Sequence, residues 1–146
     1  MQTLLTLLNI TMRYSNIIYT KVLDQHKLKT MLHMIIEGLK KSNIDQVDLL
    51  FGWYWGKEYR NEIPVKTKVD DLITEINKPI DLNLGKLGSD DVSIIVTEME
   101  MEFLFCHDGD IHFSFNQTNE LAEYIISYWE SESIIHTVKK LKGDNR

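Results

Sequence analysis

Residues 92–115 read VSIIVTEMEMEFLFCHDGDIHFSF, and the fold turns on how that stretch divides. A single strand from Val92 to His107 would be unusually long. Val92–Thr97 is strongly apolar, and Phe103–His107 continues apolar. Between them Glu98-Met99-Glu100-Met101-Glu102 alternates at period two, which would place three carboxylates on one side of the pleat. A turn or bulge near Thr97–Glu100 is therefore expected, giving two strands. Asp108-Gly109 is a strong two-residue hairpin signal, with Ile111–Phe115 as the returning strand. Strands joined by tight hairpins run antiparallel, so this stretch predicts an antiparallel centre.

Upstream, Asn16–Val22 is rich in β-branched and aromatic residues and reads as a strand. Asp24 sits where an N-cap belongs, and Leu28, Met31, Leu32, Ile35, Ile36 and Leu39 recur at three- and four-residue steps. That stripe predicts a helix to about Lys41, with Lys40 and Lys41 complementing its dipole. Val47–Trp55 reads as a strand with Leu49, Phe51, Trp53 and Trp55 on one face. Gly56 and the charged Lys57–Glu62 stretch suggest a loop, and Pro64 ends any regular element there. Thr67 or Lys68 opens a short helix with Val69, Leu72, Ile73 and Ile76 inward, closed by Pro79. Ile80–Asp91 reads as a loop.

Downstream, Thr118 or Asn119 caps a helix containing Leu121, Ala122, Tyr124, Ile125, Tyr128 and Trp129. Ser133–Leu141 is expected to add one or two helical turns. The order is strand, helix, strand, helix, a run of strands, then helix. It predicts an α+β fold, an antiparallel or mixed sheet with helices packed on one face, as a single domain over residues 1–146.

The composition bounds the class. A chain of 146 residues with 43% apolar content and three tryptophans can bury a core without a staple. Its one cysteine, Cys106, forbids an internal disulfide, which matches a reducing cytoplasm. Met1–Met12 lacks the basic region and cleavage site of a signal peptide. It reads as a leader ahead of a start at Met12, or as a short amphipathic helix docked on the core. Gly143–Arg146 is expected to fray.

Charge is distributed unevenly. From Asp70 to Glu132 fifteen acidic residues face two basic ones, a balance of −13, against +4 before this block and +3 after it. Such a block repels nucleic acid and anionic membrane and speeds encounter with a basic protein. A solvated face that maintains solubility is the competing reading.

The chain contains no G-x-G-x-x-G, P-loop, G-x-S-x-G, H-E-x-x-H or paired C-x-x-C, so dinucleotide, NTPase, serine-hydrolase and zincin chemistry have no support. The one chemically suggestive cluster is Cys106–His112. With Asp108-Gly109 as a two-residue turn, His107 faces Asp110 and His112 pairs with Phe105. His107, Asp110 and His112 would then share one face as a metal-binding set, with Cys106 on the other. The competing reading is a polar hairpin tip over a packed thiol. Phe51–Gly56 (FGWYWG) reads first as core packing of Trp53 and Trp55. Aromatic anchors at a protein interface, a surface buried between copies of the chain and a stacking platform for nucleic acid are the alternatives.

The stretch Glu102–Phe113, followed by a helix ending Tyr128-Trp129-Glu130, resembles small bacterial immunity proteins, the cognate inhibitors of polymorphic-toxin and contact-dependent growth inhibition systems. The resemblance spans about Val47–Glu132 and rests on small size and acidic balance. It implies a cytosolic, non-catalytic protein without a cofactor that binds one toxin domain, basic if a nuclease, and blocks it. From the charge block, Asp90, Asp91, Glu98, Glu100, Glu102, Asp108 and Asp110 are the expected contacts to that partner's Lys and Arg.

Overall fold

The computed structural model describes residues 14–141; the expected leader and the fraying tail lie outside the described residues. Seven strands form one sheet: β1 (Asn16–Thr20), β2 (Gln46–Phe51), β3 (Val65–Lys68), β4 (Val92–Val96), β5 (Met101–Phe105), β6 (Ile111–Phe115) and β7 (Ile135–Lys140). Their order is β3-β2-β4-β5-β6-β1-β7, and every neighbouring pair is antiparallel. Three helices complete the α+β fold: α1 (Gln25–Lys41), α2 (Leu72–Asp81) and α3 (Glu120–Ser131). Among the described residues, no helix is long and apolar enough to cross a membrane.

Strand alternation decides which face the helices cover. Leu49, Ile94, Phe103, Phe113 and Ile18 are register partners across five strands and form one buried row. They join Leu28, Met31, Ile35 and Leu39 of α1, Leu72 and Ile76 of α2, and Leu121, Ile125 and Trp129 of α3 in a single core. At the centre Phe113 stacks on Phe103 (centroids 4.6 Å apart) and on Phe115 (4.7 Å), with Trp129 edge-on at 6.1 Å. The opposite face carries the rows Asp48–Ile95–Glu102–Ser114–Ile17 and Leu50–Ser93–Leu104–His112–Tyr19.

The helix starts follow local chemistry. Asp24 accepts the Lys27 N–H (2.8 Å) and Asn119 accepts the Ala122 N–H (2.9 Å), each satisfying one orphan donor of a first turn. Lys40 and Lys41 occupy the last turn of α1.

Five expectations are corrected. The strand expected over Val47–Trp55 stops at Phe51. Gly52 donates to the Asp91 carbonyl (2.9 Å), and Trp53–Trp55 turn into a 3₁₀ helix, so Trp53 and Trp55 no longer alternate on a pleat. Val65–Lys68, the approach to the second helix, is an edge strand, and only Thr67 in it is buried. A 3₁₀ turn (Val69–Asp71) then leads into α2, which runs past Pro79 to Asp81. Ser133–Leu141 is not helical. Ser133 takes φ 56° after α3, and β7 then pairs with β1 at the sheet edge. The fifth correction concerns the β5–β6 turn, which shapes the candidate site.

Candidate functional site

The β5–β6 connection is a three-residue turn rather than the expected two-residue one. The Cys106 N–H donates to the Asp110 carbonyl (2.9 Å), the Gly109 N–H donates to the Cys106 carbonyl (3.0 Å), and Gly109 sits at φ 93°. This is a turn over His107 and Asp108 followed by a left-handed glycine that makes a bulge. Phe105 therefore pairs with Ile111, and Leu104 with His112. The extra residue shifts the register by one, and a one-residue shift exchanges faces. Cys106, not His107, joins Asp110 and His112.

The resulting geometry is compact. His112 Nε2 lies 3.2 Å from both Asp110 carboxylate oxygens. Cys106, Asp110 and His112 each offer a donor atom, all within 4.8 Å of one another, and so do Asp91, Cys106 and His107. Tyr19 packs edge-on against the His112 ring at 4.4 Å. Cys106 is buried, and burial is the main cause of its raised thiol pKa.

His107 turns to β4. Its backbone N–H donates to Asp91 Oδ1 (2.7 Å), and its Nδ1 lies 3.0 Å from the same oxygen. That hydrogen bond, then the charges of Asp91 and Asp108, raise the His107 pKa above its ordinary 6.5. A group raised on folding contributes stability that is complete below the unfolded value and is lost as pH rises through the folded one. An NMR titration of the His107 ring is therefore expected to give a midpoint above 6.5, and Asp91→Asn to bring it down; an unmoved midpoint would contradict the pairing.

Asp91 also ties the hairpin to the aromatic turn. Its carbonyl accepts the Gly52 N–H and the Trp55 indole N–H (2.8 Å). Trp55 is fully buried, and this bond satisfies its one polar atom. The neighbouring Trp53 and Tyr54 are 63% and 74% exposed. The Arg60 guanidinium stacks 3.5 Å from the Trp53 ring, and beside Trp53 and Arg60 opens a cleft of about 220 Å³. The FGWYWG segment thus combines both expected roles, core packing by Trp55 and an exposed aromatic pair.

The seven acidic residues singled out in the sequence fall into three places. Asp90, Asp91, Asp108 and Asp110 gather at the end of the sheet where β4 begins and β5 meets β6. Asp90 accepts the Lys86 backbone N–H (3.1 Å). Among the described residues, none of these four pairs with a Lys or Arg, whereas Asp48, Asp70, Glu75 and Glu132 each do. Glu98 and Glu100 lie at the opposite end, roughly 17 Å of strand away. Glu98 lies in the 3₁₀ turn Thr97–Met99, and Glu100 takes φ 56° and accepts from Asn116 (3.0 Å). Glu98 there lines a broad polar cleft of about 630 Å³ with Asn43, Asp45, Gln46, Lys68 and Asp70. Glu102 stands mid-sheet on the face away from the helices. Burial pushes its carboxyl pKa up, partly offset by the neighbouring Ser93 and Tyr14 hydroxyls. The buried Tyr14 hydroxyl makes no bond of good geometry, so its relation to Glu102 is chiefly electrostatic. The three glutamates therefore do not form one stripe, because the 3₁₀ turn breaks their alternation.

In comparisons with known proteins, no family model, no curated protein and no solved structure matches this chain.

Proposed function

We propose that this protein is a binding protein of the immunity type, a cytosolic inhibitor that caps a cationic surface of a toxin domain with the β5–β6 end of its sheet. The observation that carries this reading is the exposed Trp53–Tyr54 pair on a mount hydrogen-bonded to Asp91. Exposed aromatics on a rigid turn lose little entropy on binding, and Trp and Tyr dominate interface energetics. Around them Asp90, Asp91 and Asp108 keep their charge unspent on internal Lys or Arg, which suits them to a Lys- or Arg-rich partner. The core is built without them, so the partner-binding end can vary while the fold persists.

The reading predicts that an adjoining reading frame encodes the toxin domain. Stopped-flow association with that domain tests the surface. Reversing Asp90 and Asp108 to lysine is expected to slow association by about tenfold at low salt and to flatten its salt dependence. Reversing Glu98 and Glu100, at the other end, is expected to change the rate by no more than about twofold. Equal losses from both pairs, or none from the first, would count against the proposed face.

A further inference from the structure

We propose that Cys106, Asp110 and His112 form a three-ligand site for a divalent transition ion of the zinc class, on the sheet face away from the helices. It is independent of the docking role, which rests on Trp53, Tyr54, Asp90, Asp91 and Asp108.

The donors stand on adjoining positions of one hairpin. Cys106 and Asp110 face each other through the Cys106 N–H to Asp110 carbonyl bond, and His112 follows Asp110 on the same face. The bulge at Gly109 creates the set: without the one-residue shift, Asp110 and His112 would fall on the face opposite the thiol. Two ligands about 2.0–2.3 Å from a common tetrahedral ion are about 3.3–3.7 Å apart. His112 Nε2 and the Asp110 oxygens already lie 3.2 Å apart. All three donor atoms fall within 4.8 Å, so Cys106 Sγ needs to close by only about 1 Å through side-chain rotation. The Tyr19 ring fixes the His112 imidazole edge-on, the kind of outer support that ligating histidines use.

The donor types select the ion. A thiolate and an imidazole disfavour Mg²⁺ and Ca²⁺, which take oxygen ligands, and favour Zn²⁺ or Co²⁺. Three protein ligands leave a fourth position. The Asp110 and His112 side chains are 19% and 23% exposed, so water can reach it. His107 Nδ1 lies 3.8 Å from the sulfur, but the His107 and Asp91 side chains are 55% and 42% exposed and the Asp91 oxygen is held by the His107 backbone N–H, so this more solvated pair is assigned no ligand role.

Cobalt titration of the chelator-stripped, purified chain tests this directly. The expected result is a thiolate-to-cobalt charge-transfer band that saturates at one equivalent and is displaced by Zn²⁺. Cys106→Ser should abolish the band. His112→Ala and the near-isosteric Asp110→Asn should each weaken cobalt binding by at least about tenfold. His107→Ala should leave it unchanged. Circular dichroism and thermal melting establish that each variant is folded, and Asp110→Asn decides the matter if His112→Ala is not. Saturating Zn²⁺ should raise the melting temperature of the wild type but not that of Cys106→Ser. No charge-transfer band at stoichiometric cobalt would overturn the site. So would a band that survives Asp110→Asn and disappears with His107→Ala.

Discussion

Truncating Phe113 to alanine is expected to cost about 3–5 kcal/mol of folding stability. Its side chain is fully buried, sandwiched between Phe103 and Phe115 and met edge-on by Trp129. Alanine removes the transfer free energy of the ring, leaves a cavity in a close-packed interior, and breaks three aromatic contacts worth about 0.5–1.5 kcal/mol each beyond area. Phe113 also sits on the central row joining β4, β5, β6 and β1, so the neighbours cannot collapse without bending the sheet. Against a typical domain stability of about 5–15 kcal/mol this is a large fraction. The melting temperature should fall by about 10–16 °C. Urea denaturation checks it: the midpoint should drop with the slope unchanged. A loss below about 1 kcal/mol would contradict the packing described here.

Replacing Trp53 and Tyr54 together by alanine should have the opposite signature. Both side chains stand in solvent, so stability should change by no more than about 0.5 kcal/mol, with Arg60 losing only its stacking partner. Affinity for the proposed toxin partner should fall by about 2–4 kcal/mol, roughly 30- to 1,000-fold, mainly through faster dissociation. Calorimetric binding and thermal melting of the same preparation separate the two effects. Unchanged affinity would remove the aromatic pair from the interface. The Phe113 variant tests the scaffold, and the Trp53/Tyr54 variant tests the surface mounted on it.

The parts of the fold legible in the sequence are those where one local signal has one meaning. Asp24 and Asn119 stand before apolar stripes of helical period, and both cap helices as expected. The turn near Thr97–Glu100 follows from the length of the apolar run, and a 3₁₀ turn is found there. The edge strands are less legible. β3 buries only Thr67, and β7 buries none of its residues, so neither shows an alternation strong enough to read. The β-branched residues Ile135, Thr137 and Val138 were the available sign of β7.

The candidate site depends on an ambiguity that Asp108-Gly109 does not resolve. A two-residue hairpin turn and a three-residue turn with a bulge both place glycine in the left-handed region. They differ by one residue of register, and that residue exchanges His107 for Cys106 beside Asp110 and His112. The acidic block illustrates a different limit. Charges close in sequence are thrown to opposite ends of the sheet by the length of β4, which separates Asp90 and Asp91 from Glu98 and Glu100. Trp53 misled for a similar reason: Gly52 can continue a strand or end one, and its close approach to Asp91 is visible only in three dimensions.

Where the proposed partner sits decides between the two ends of the sheet. Hydrogen exchange of this protein, free and bound to the proposed toxin partner, measures that. The expected result is new protection confined to residues 52–60, 88–91 and 106–110. Protection at residues 43–46, 68–70 and 97–100, around the polar cleft at the far end, would contradict it.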